Sequence, residues 1–527
     1  MAGIVASTPL RPKCDNALTG QPLIFRDPFL RMNLPAYQAL TATFARLYRY
    51  QHLGAIASWD QAAKMPPGGN AARGAALAEL DVLMHQTLTD KSLHALMAAA
   101  ESEVLDAMQR ANLREMRRDW EQANLLPDRL IEAKSLAGSR CEHAWRTQRK
   151  ENDWKGFLGN FSEVVKLSRE EAQTLSQARG VSPYDALMDK YEPGTRSADI
   201  DVTFGELKTW LPDLIAKVSA KQASESVVRT RGPFPVASQR ALGLEIMGIL
   251  GFDFSAGRLD ISTHPFCGGV AQDVRITTRY AEDDFMRSMM GIIHETGHAR
   301  YEQGLPRDTV EMALGRARSM GIHESQSLSF EMQIGRNPAF LGLLSPLVKK
   351  HLGEQPAFDA ANLARLFTRV VPGFIRVDAD ELTYPAHIIL RYEIESSLIN
   401  GEIEARDIPA QWDEKMMAYL GLDTRGNYAQ GCLQDIHWTG GSFGYFPSYT
   451  LGAMYAAQYF TTIRRLYPTL DASLTAGDLT PIFDWLSTHI WTQASRWETG
   501  ELVRRATGET LNPAHFRRHL ERRYLNG

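Results

Sequence analysis

One five-residue string, His294-Glu-Thr-Gly-His298, constrains this 527-residue chain more than any other. Phe285, Met289, Ile292 and Ile293 precede it at helical spacing and Gly304-Leu-Pro306 closes it, so it belongs on a helix with one face in the core. Four residues turn an α-helix by about 400°, so both imidazoles leave one face within a turn of each other and can share a tetrahedral ion. Glu295 lies beside them, placed to hold the water that such an ion activates and to take its proton. With 14 histidines in the chain, chance would supply only about 0.02 such strings, so two helix histidines merely satisfied by neighbours are the weaker reading. A fold that uses the string must bring a third ligand to it. Glu324, in Gly321-Ile-His-Glu-Ser-Gln-Ser327 between Met320 and Phe330, is the candidate, presented by a second helix packed antiparallel across a short connection. His323 projects about 100° away on the same helix and is expected to support a ligand or the structure rather than bind the ion.

The rest of the chain is dominated by helical periods. Tyr37, Leu40, Phe44, Leu47 and Tyr48 step by three and four, as do Leu105, Met108, Met116 and Trp120; these stripes are core. Asn512-Pro513 caps a last helix on which Phe516, Leu520 and Tyr524 step by four. Only Asp273-Val-Arg-Ile-Thr-Thr-Arg-Tyr280 reads clearly as a strand, with Val274 and Ile276 on one face and Asp273, Arg275 and Thr277 on the other. Asp260-Ile-Ser-Thr-His-Pro-Phe266 and Gly268-Gly269 are expected to give a partner strand and a turn. The predicted fold class is therefore mainly α, a large helical subunit with a small β-sheet beside the His294–His298 helix. Residues 1–34, with Pro9, Pro12, Pro22 and Pro28, are expected to form an extended arm of unknown role. Residues 35–527 are read as one catalytic domain, whose halves would meet near 225–240, where Arg231-Gly-Pro-Phe-Pro235 is a linker or a surface loop.

Composition excludes several function classes. Hydrophobic residues are 44%, charged residues 23%, and Lys+Arg 58 against Asp+Glu 62 leaves −4, the profile of a globular chain without a nucleic-acid-seeking surface. No apolar run approaches the roughly 18 residues of a membrane span; the best candidate, Ala241 to Phe252, is short and interrupted by Glu245. Cys14, Cys141, Cys267 and Cys432 lie far apart with no CxxC pair, which suggests neither a thiolate metal site nor a disulfide framework, and predicts a reducing, cytoplasmic setting.

Taken together, the motifs resemble the thermostable-carboxypeptidase (carboxypeptidase Taq-type) metallocarboxypeptidase family. His264-Pro-Phe266, Asp273-x-Arg275-x-Thr277, His294-Glu-x-x-His298, His323-Glu-Ser-Gln-Ser327, Ile375-Arg-x-x-Ala-Asp380 and Gly431-x-x-Gln-Asp-x-His-Trp438 stand in the family's order. The resemblance runs from Trp59-Asp60 and Met65-Pro66 to Ala506-Thr-Gly-Glu509 and Leu511-Asn-Pro513. It implies a saddle-like helical subunit with a deep groove and one divalent ion per subunit, zinc, with cobalt a frequent replacement. It also implies removal of C-terminal residues from peptides with a free C-terminus, and a homodimer. Two departures stand out. Leu328-Ser329-Phe330 precede Glu331 where the family has Arg and Trp, which bears on packing beside the ligand helix; Pro385-Ala386 follow Tyr384 in place of Asn-Leu, which bears on a helix start.

A carboxypeptidase must read a terminal carboxylate, which a planar guanidinium does bidentately. Arg376 is the first candidate, with a structural salt bridge to the acids of Ile375-Arg-Val-Asp-Ala-Asp-Glu381 as the alternative; Arg275, beside Asp273, divides evenly between groove lining and structural pairing. His264, Asp273, Gln434 and Gln326 complete the expected substrate-binding set, Gln326 as a lining of the side-chain pocket. Oxyanion stabilisation and leaving-group protonation need further donors, ranked His437, then Tyr445, then Tyr449, the tyrosines otherwise forming an aromatic patch under the groove. Gln434 and Asp435 are expected to fix His437 more than to touch substrate. Gly440-Gly441 and Gly444 read as a turn beside the site, Cys267 and Cys432 as neighbours of the groove, and Arg517, Arg518, Arg522 and Arg523 as a solvated helix face. Alternatives to the carboxypeptidase are a metallo-oligopeptidase cutting inside short peptides and a catalytically silent peptide-binding scaffold. The intact His294, Glu295, His298 and Glu324 oppose silence, and Arg376 favours cleavage at the chain end.

Overall fold

Tyr37, Leu40, Phe44, Leu47 and Tyr48 all lie buried along Pro35–Ala63, the first helix of the computed structural model, which describes residues 34–526. The expected arm therefore lies outside the described residues, apart from Leu34. Pro35 starts the helix where its missing N–H costs nothing. The second stripe is corrected by its cap. Asp106 and Gln109 form a capping box, so the helix runs Ala107–Asn124 and buries Ala111, Leu113 and Met116, while Met108 falls on the outer side of the first turn and is exposed. The last helix, Ala514–Tyr524, buries Phe516, Leu520 and Tyr524 behind Asn512, whose Oδ1 accepts from the Ala514 N–H at 3.1 Å. Arg517, Arg518 and Arg522 are exposed as expected; Arg523 instead turns inward onto Glu381.

The sheet has three strands in the order β1-β3-β2. β1 (Gly257–Ile261) pairs parallel with β3 (Asp273–Thr278), and β2 (Cys267–Val270) pairs antiparallel with it. Gly268-Gly269, expected as a turn, lies inside β2, and Ala271-Gln272 make the turn. Gly269 is needed there for its backbone: φ is +91°, and a Cβ would stand 2.0 Å from the Asp273 carbonyl oxygen. Val274 and Ile276 pack with Leu259, Met247, Phe252, Ile292 and Ala299 in a cluster beneath the helix Phe285–Gly304. The sheet thus backs the helix that carries His294 and His298.

Arg231 to Pro235 connect the helices Ser197–Ala223 and Val236–Ile249, with Phe234 buried. The largest apolar cluster takes side chains from both sides of that connection, among them Phe161, Phe204, Leu242, Phe330, Tyr459 and Leu520. Among the described residues, no helix is long and apolar enough to cross a membrane.

Candidate metal centre

Two glycines bring Glu324 to the histidine pair. Gly297, inside the five-residue string, lets Phe285–Gly304 seat directly on the helix Met320–Leu328: a Cβ there would lie 2.5 Å from the Gln326 carbonyl oxygen and 2.6 Å from Ser327 Cα. On the other side Gly452, in the helix Pro447–Leu466, would meet Cβ of Glu324 at 2.8 Å. The helix that carries Glu324 is thus approached closely on two sides at glycine positions, Gly297 beside Gln326 and Ser327 and Gly452 beside Glu324 itself. The start of its helix is fixed by the buried carboxylate of Glu192, which accepts from the Gly321 N–H and, at 2.6 Å, from the Ser319 hydroxyl.

His294, His298 and Glu324 each offer one donor atom, all within 4.8 Å of one another. Nε2 of His294 stands 3.9 Å from Glu324 Oε1, and Nε2 of His298 stands 3.5 Å from Oε2. The other ring nitrogens are held from behind. Nδ1 of His294 meets Glu331 Oε2 at 2.9 Å; Nδ1 of His298 meets His323 Nδ1 at 2.7 Å, and His323 Nε2 meets Glu302 Oε1 at 2.8 Å. Such partners fix the ring orientation and raise ligand basicity. His323, itself held by Glu302, therefore backs His298. Glu331 sits on a π-helical stretch, Ser329–Gly335, whose wider turn returns its carboxylate to His294, and Arg336 donates to its other oxygen at 2.7 Å. No spacing rule announces a π-turn, so Glu331 carried no role in the sequence; Glu302 was also missed, although its place four residues past His298 on one helix face could have pointed to it.

The electrostatics fit a cation. Burial pulls His298 down to about 4 against the opposing hydrogen bond of Glu324, leaving the neutral imidazole a metal needs. Burial also opposes charge on His294, but Glu331 and Glu324 outweigh it and raise the ring to about 10. Two carboxylates converging on one imidazole make a trap for positive charge, whether proton or metal. Burial lifts Glu295 to about 7, and its Oε2 has no hydrogen-bond partner in the protein. A buried carboxylate that titrates near neutrality among the charges of His294 and Glu324 can take up and release a proton at working pH. Two imidazoles and a carboxylate are a fitting donor set for zinc or cobalt.

Aromatic donors border the cluster. His437 stacks on Tyr445 with centroids 5.6 Å apart, and its Nε2 lies 3.4 Å from the Tyr449 hydroxyl. Burial raises Tyr384, Tyr445 and Tyr449, the last to about 12, and the charge of Glu324 adds to the shift of each, so all three hydroxyls feel the Glu324 carboxylate. Burial pulls His437 down to about 4, with Asp435 opposing. The turn that presents these residues is pinned by buried Glu395, which accepts from Trp438 Nε1 at 2.6 Å and from the Gly444 N–H at 3.0 Å. Gly444 has φ +89°, and a Cβ would meet the Met188 backbone nitrogen at 2.7 Å.

Arg376 is 5% exposed, and the acids of its own segment do not hold it. Its Nε and NH2 donate to Asp435 Oδ1 at 3.0 and 2.8 Å, and NH1 donates to the Tyr384 hydroxyl at 3.0 Å. Asp435 Oδ2 accepts from Arg391 Nε at 2.6 Å. The expectation that Asp435 fixes His437 is corrected: a carboxylate between two buried guanidiniums has its oxygens taken by them, and Nδ1 of His437 is left without a partner. Gln434 accepts from the Arg376 backbone N–H at 2.8 Å and donates to the Phe374 carbonyl at 2.9 Å, so it holds Arg376 rather than His437.

Residues 39–524 match the family model of carboxypeptidase Taq (M32) metallopeptidases. The chain belongs to this family. Thermostable carboxypeptidase 1 of Thermus thermophilus is 38% identical over 506 residues, 93% of this chain and 98% of that protein. Carboxypeptidase 1 of Bacillus subtilis is 34% identical over 488 residues, 91% and 96% of the two. Among solved structures, Trypanosoma cruzi metallocarboxypeptidase 1 is similar with a TM-score of 0.92 at 49% identity, covering 93% of this chain and 100% of that one. Pyrococcus furiosus carboxypeptidase gives 0.89 at 32%, with 93% and 99% covered. The mainly helical fold with its small sheet and the activity class, a metal-dependent carboxypeptidase, follow from this membership.

In this M32 carboxypeptidase several expected groove residues have other partners. Gln326 is fully buried, and its Oε1 accepts from Trp491 Nε1 at 2.8 Å. Two residues beyond Glu324 is about 200° around a helix, so a pocket lining there is corrected by geometry. Arg275 grips Asp273 through Nε and NH2 at 2.9 and 2.7 Å and lies 4.4 Å from the centroid of Trp59. His264 is exposed between β1 and β2. Burial raises the thiols of Cys267 and Cys432, which removes them as nucleophiles. Pro385 falls in the first turn of the helix Tyr384–Asn400, where proline fits. Phe330 is buried and stacks on Phe483 at 5.6 Å, so the departure before Glu331 is a change of packing.

Proposed function

We propose that this chain removes C-terminal residues one at a time from peptides with a free carboxylate, using one zinc ion, replaceable by cobalt, held by His294, His298 and Glu324. The observation that carries this reading is the convergence of those three donors beside the unpartnered carboxylate of Glu295. When bound, the ion supplies a Lewis acid that polarises the scissile carbonyl and makes water more acidic. Glu295 takes the proton of the attacking water and returns it to the leaving amine. His437 and the Tyr445 and Tyr449 hydroxyls donate to the carbonyl oxygen as negative charge gathers on it; burial keeps both phenols protonated over the working pH range. Arg376, oriented by Asp435, turns NH1 and the Tyr384 hydroxyl toward the terminal carboxylate. Gln434 acts on substrate only through Arg376. Asp273, Arg275 and His264 line the outer wall of the groove, with the Arg275 guanidinium over the Trp59 ring.

A homodimer and a cytoplasmic setting belong to the same reading; family resemblance supports the first, and the free thiols of Cys141, Cys267 and Cys432 support the second. The experiment is a mass-spectrometric time course on one peptide as free acid and as C-terminal amide, with zinc supplied. A ladder of single-residue losses from the acid and an intact amide are expected. Internal cleavage of the amide would favour the oligopeptidase instead.

A further inference from the structure

The C-terminal helix, Ala514–Tyr524, closes on one buried carboxylate. Glu381 is 1% exposed and accepts from His519 Nε2 at 2.6 Å, from Arg523 NH1 at 2.7 Å and from the Tyr524 hydroxyl at 3.0 Å. It stands three residues before Tyr384, which takes NH1 of Arg376. Its neighbour Asp380 accepts from the Leu382 and Thr383 N–H groups, both at 3.0 Å, and so fixes the start of the helix that Tyr384 opens. The same NH1 of Arg523 donates at 2.5 Å to the carbonyl of Met332, the residue after Glu331. The amide of Gln333 lies 3.2 Å from the His519 ring. One short helix therefore fastens both the π-turn that orients His294 and the segment that carries Arg376.

A joint needed only for stability would be better made of apolar side chains, because burying charged groups is costly and an isosteric apolar cluster is often more stable. Directional bonds do what apolar packing does less well: they fix a distance. We propose that Glu381 is a positioning residue which, pinned by His519, Arg523 and Tyr524, sets the separation between the metal centre and Arg376, and so decides which peptide bond of a bound substrate meets the metal. The inference rests on the roles given above to Arg376 and the metal ligands. An end-reading enzyme cuts the last bond because the reader and the metal stand a fixed distance apart, and small misplacements of a reacting bond are costly in rate.

The test compares wild type with Arg523→Met, Tyr524→Phe and Glu381→Gln. Three quantities are measured at a temperature where each protein is folded: kcat/KM on a free-acid peptide and on its amide, the product ladder by mass spectrometry, and the visible spectrum of the cobalt-loaded protein. Arg523→Met and Glu381→Gln are expected to lose about tenfold to a hundredfold in kcat on the acid, to narrow the preference for acid over amide, to yield products shortened by other than one residue, and to shift the cobalt bands. Tyr524→Phe, which removes one oxygen, should show the same changes to a smaller degree and carries the test where the other two do not fold. Lowered melting temperatures with wild-type preference, ladder and spectrum in every folded variant would overturn the role of Glu381 alone. A wild type that cleaves acid and amide equally would overturn the reading of Arg376 on which the inference stands.

Discussion

Oε2 of Glu331 stands 2.9 Å from Nδ1 of His294, and Arg336 holds the other oxygen of the same carboxylate at 2.7 Å. Burial works against charge on Glu331, yet Arg336 and His294 bring it down to about 2, so it faces His294 as an anion across the working pH range. Glu331→Ala should therefore weaken zinc binding by about 10- to 100-fold, the usual cost of losing a ligand's outer partner. Glu331→Gln, which keeps a polar partner but not the charge, should fall between. Competition with a chromogenic chelator measures both, and wild-type affinity in Glu331→Ala would rule this role out.

Gly297 carries the packing that makes the site. Gly297→Ala puts a methyl group where the Gln326 carbonyl and Ser327 Cα already stand, so the two ligand helices must separate. Overpacking of this kind costs about 1–3 kcal/mol or more, and here it also moves Glu324 away from the histidines. A lowered melting temperature together with reduced zinc affinity is expected from calorimetry and chelator competition. A drop in stability with unchanged affinity would mean that Glu324 is positioned by something else.

His437 gives a pH dependence with a definite sign. Burial holds its folded-state pKa at about 4, below the ordinary 6.5, so between those values the unfolded chain binds the proton more readily. The contribution of a neutral His437 is complete above about pH 6.5 and is lost as pH falls toward 4, up to about 3 kcal/mol in all. Wild-type melting temperatures should fall over that window more steeply than those of His437→Gln. Parallel curves for the two proteins would contradict the buried, neutral imidazole.

How much of this was legible in the chain follows from the range of each interaction. The two histidines and Glu295 share one turn of one helix, and the apolar residues before them repeat at the period of that helix, so a short window contains the whole signal. The approach of Glu324 to the two histidines was readable because its own helix announced itself. Gln326 was misread although the same helical geometry turns it away from Glu324. Gly268-Gly269 read as a turn because glycine pairs usually make one; a strand that needs φ +91° at Gly269 looks identical in sequence. Met108 was misplaced by a cap at Asp106 that shifts the helix start. The Asp435 bridge between Arg376 and Arg391 joins residues far apart in the chain, and nothing local marks such a pairing. Glu331 depends on a π-turn that no apolar period encodes.

Arg376 and Arg275 separate by substrate. Arg376→Ala removes a charge-assisted contact to the terminal carboxylate worth about 1.5–3 kcal/mol, or about 10- to 150-fold in kcat/KM on free-acid peptides, with little change on amides. Arg376→Lys should rescue little, because an ammonium lacks the planar fork that Asp435 and Tyr384 hold. Arg275→Ala, which breaks the pairing with Asp273 and the contact with Trp59, should weaken both substrate types alike. The reverse pattern would move the carboxylate reader to Arg275.

The central claim is that His294, His298 and Glu324 together hold one catalytic divalent ion. Metal analysis by inductively coupled plasma mass spectrometry, on wild type and Glu324→Ala after identical zinc loading and dialysis, tests it most directly. The account predicts about one zinc per chain in wild type and a large loss in a Glu324→Ala protein that is still folded, in keeping with a three-ligand site. Full zinc occupancy in folded Glu324→Ala would contradict it.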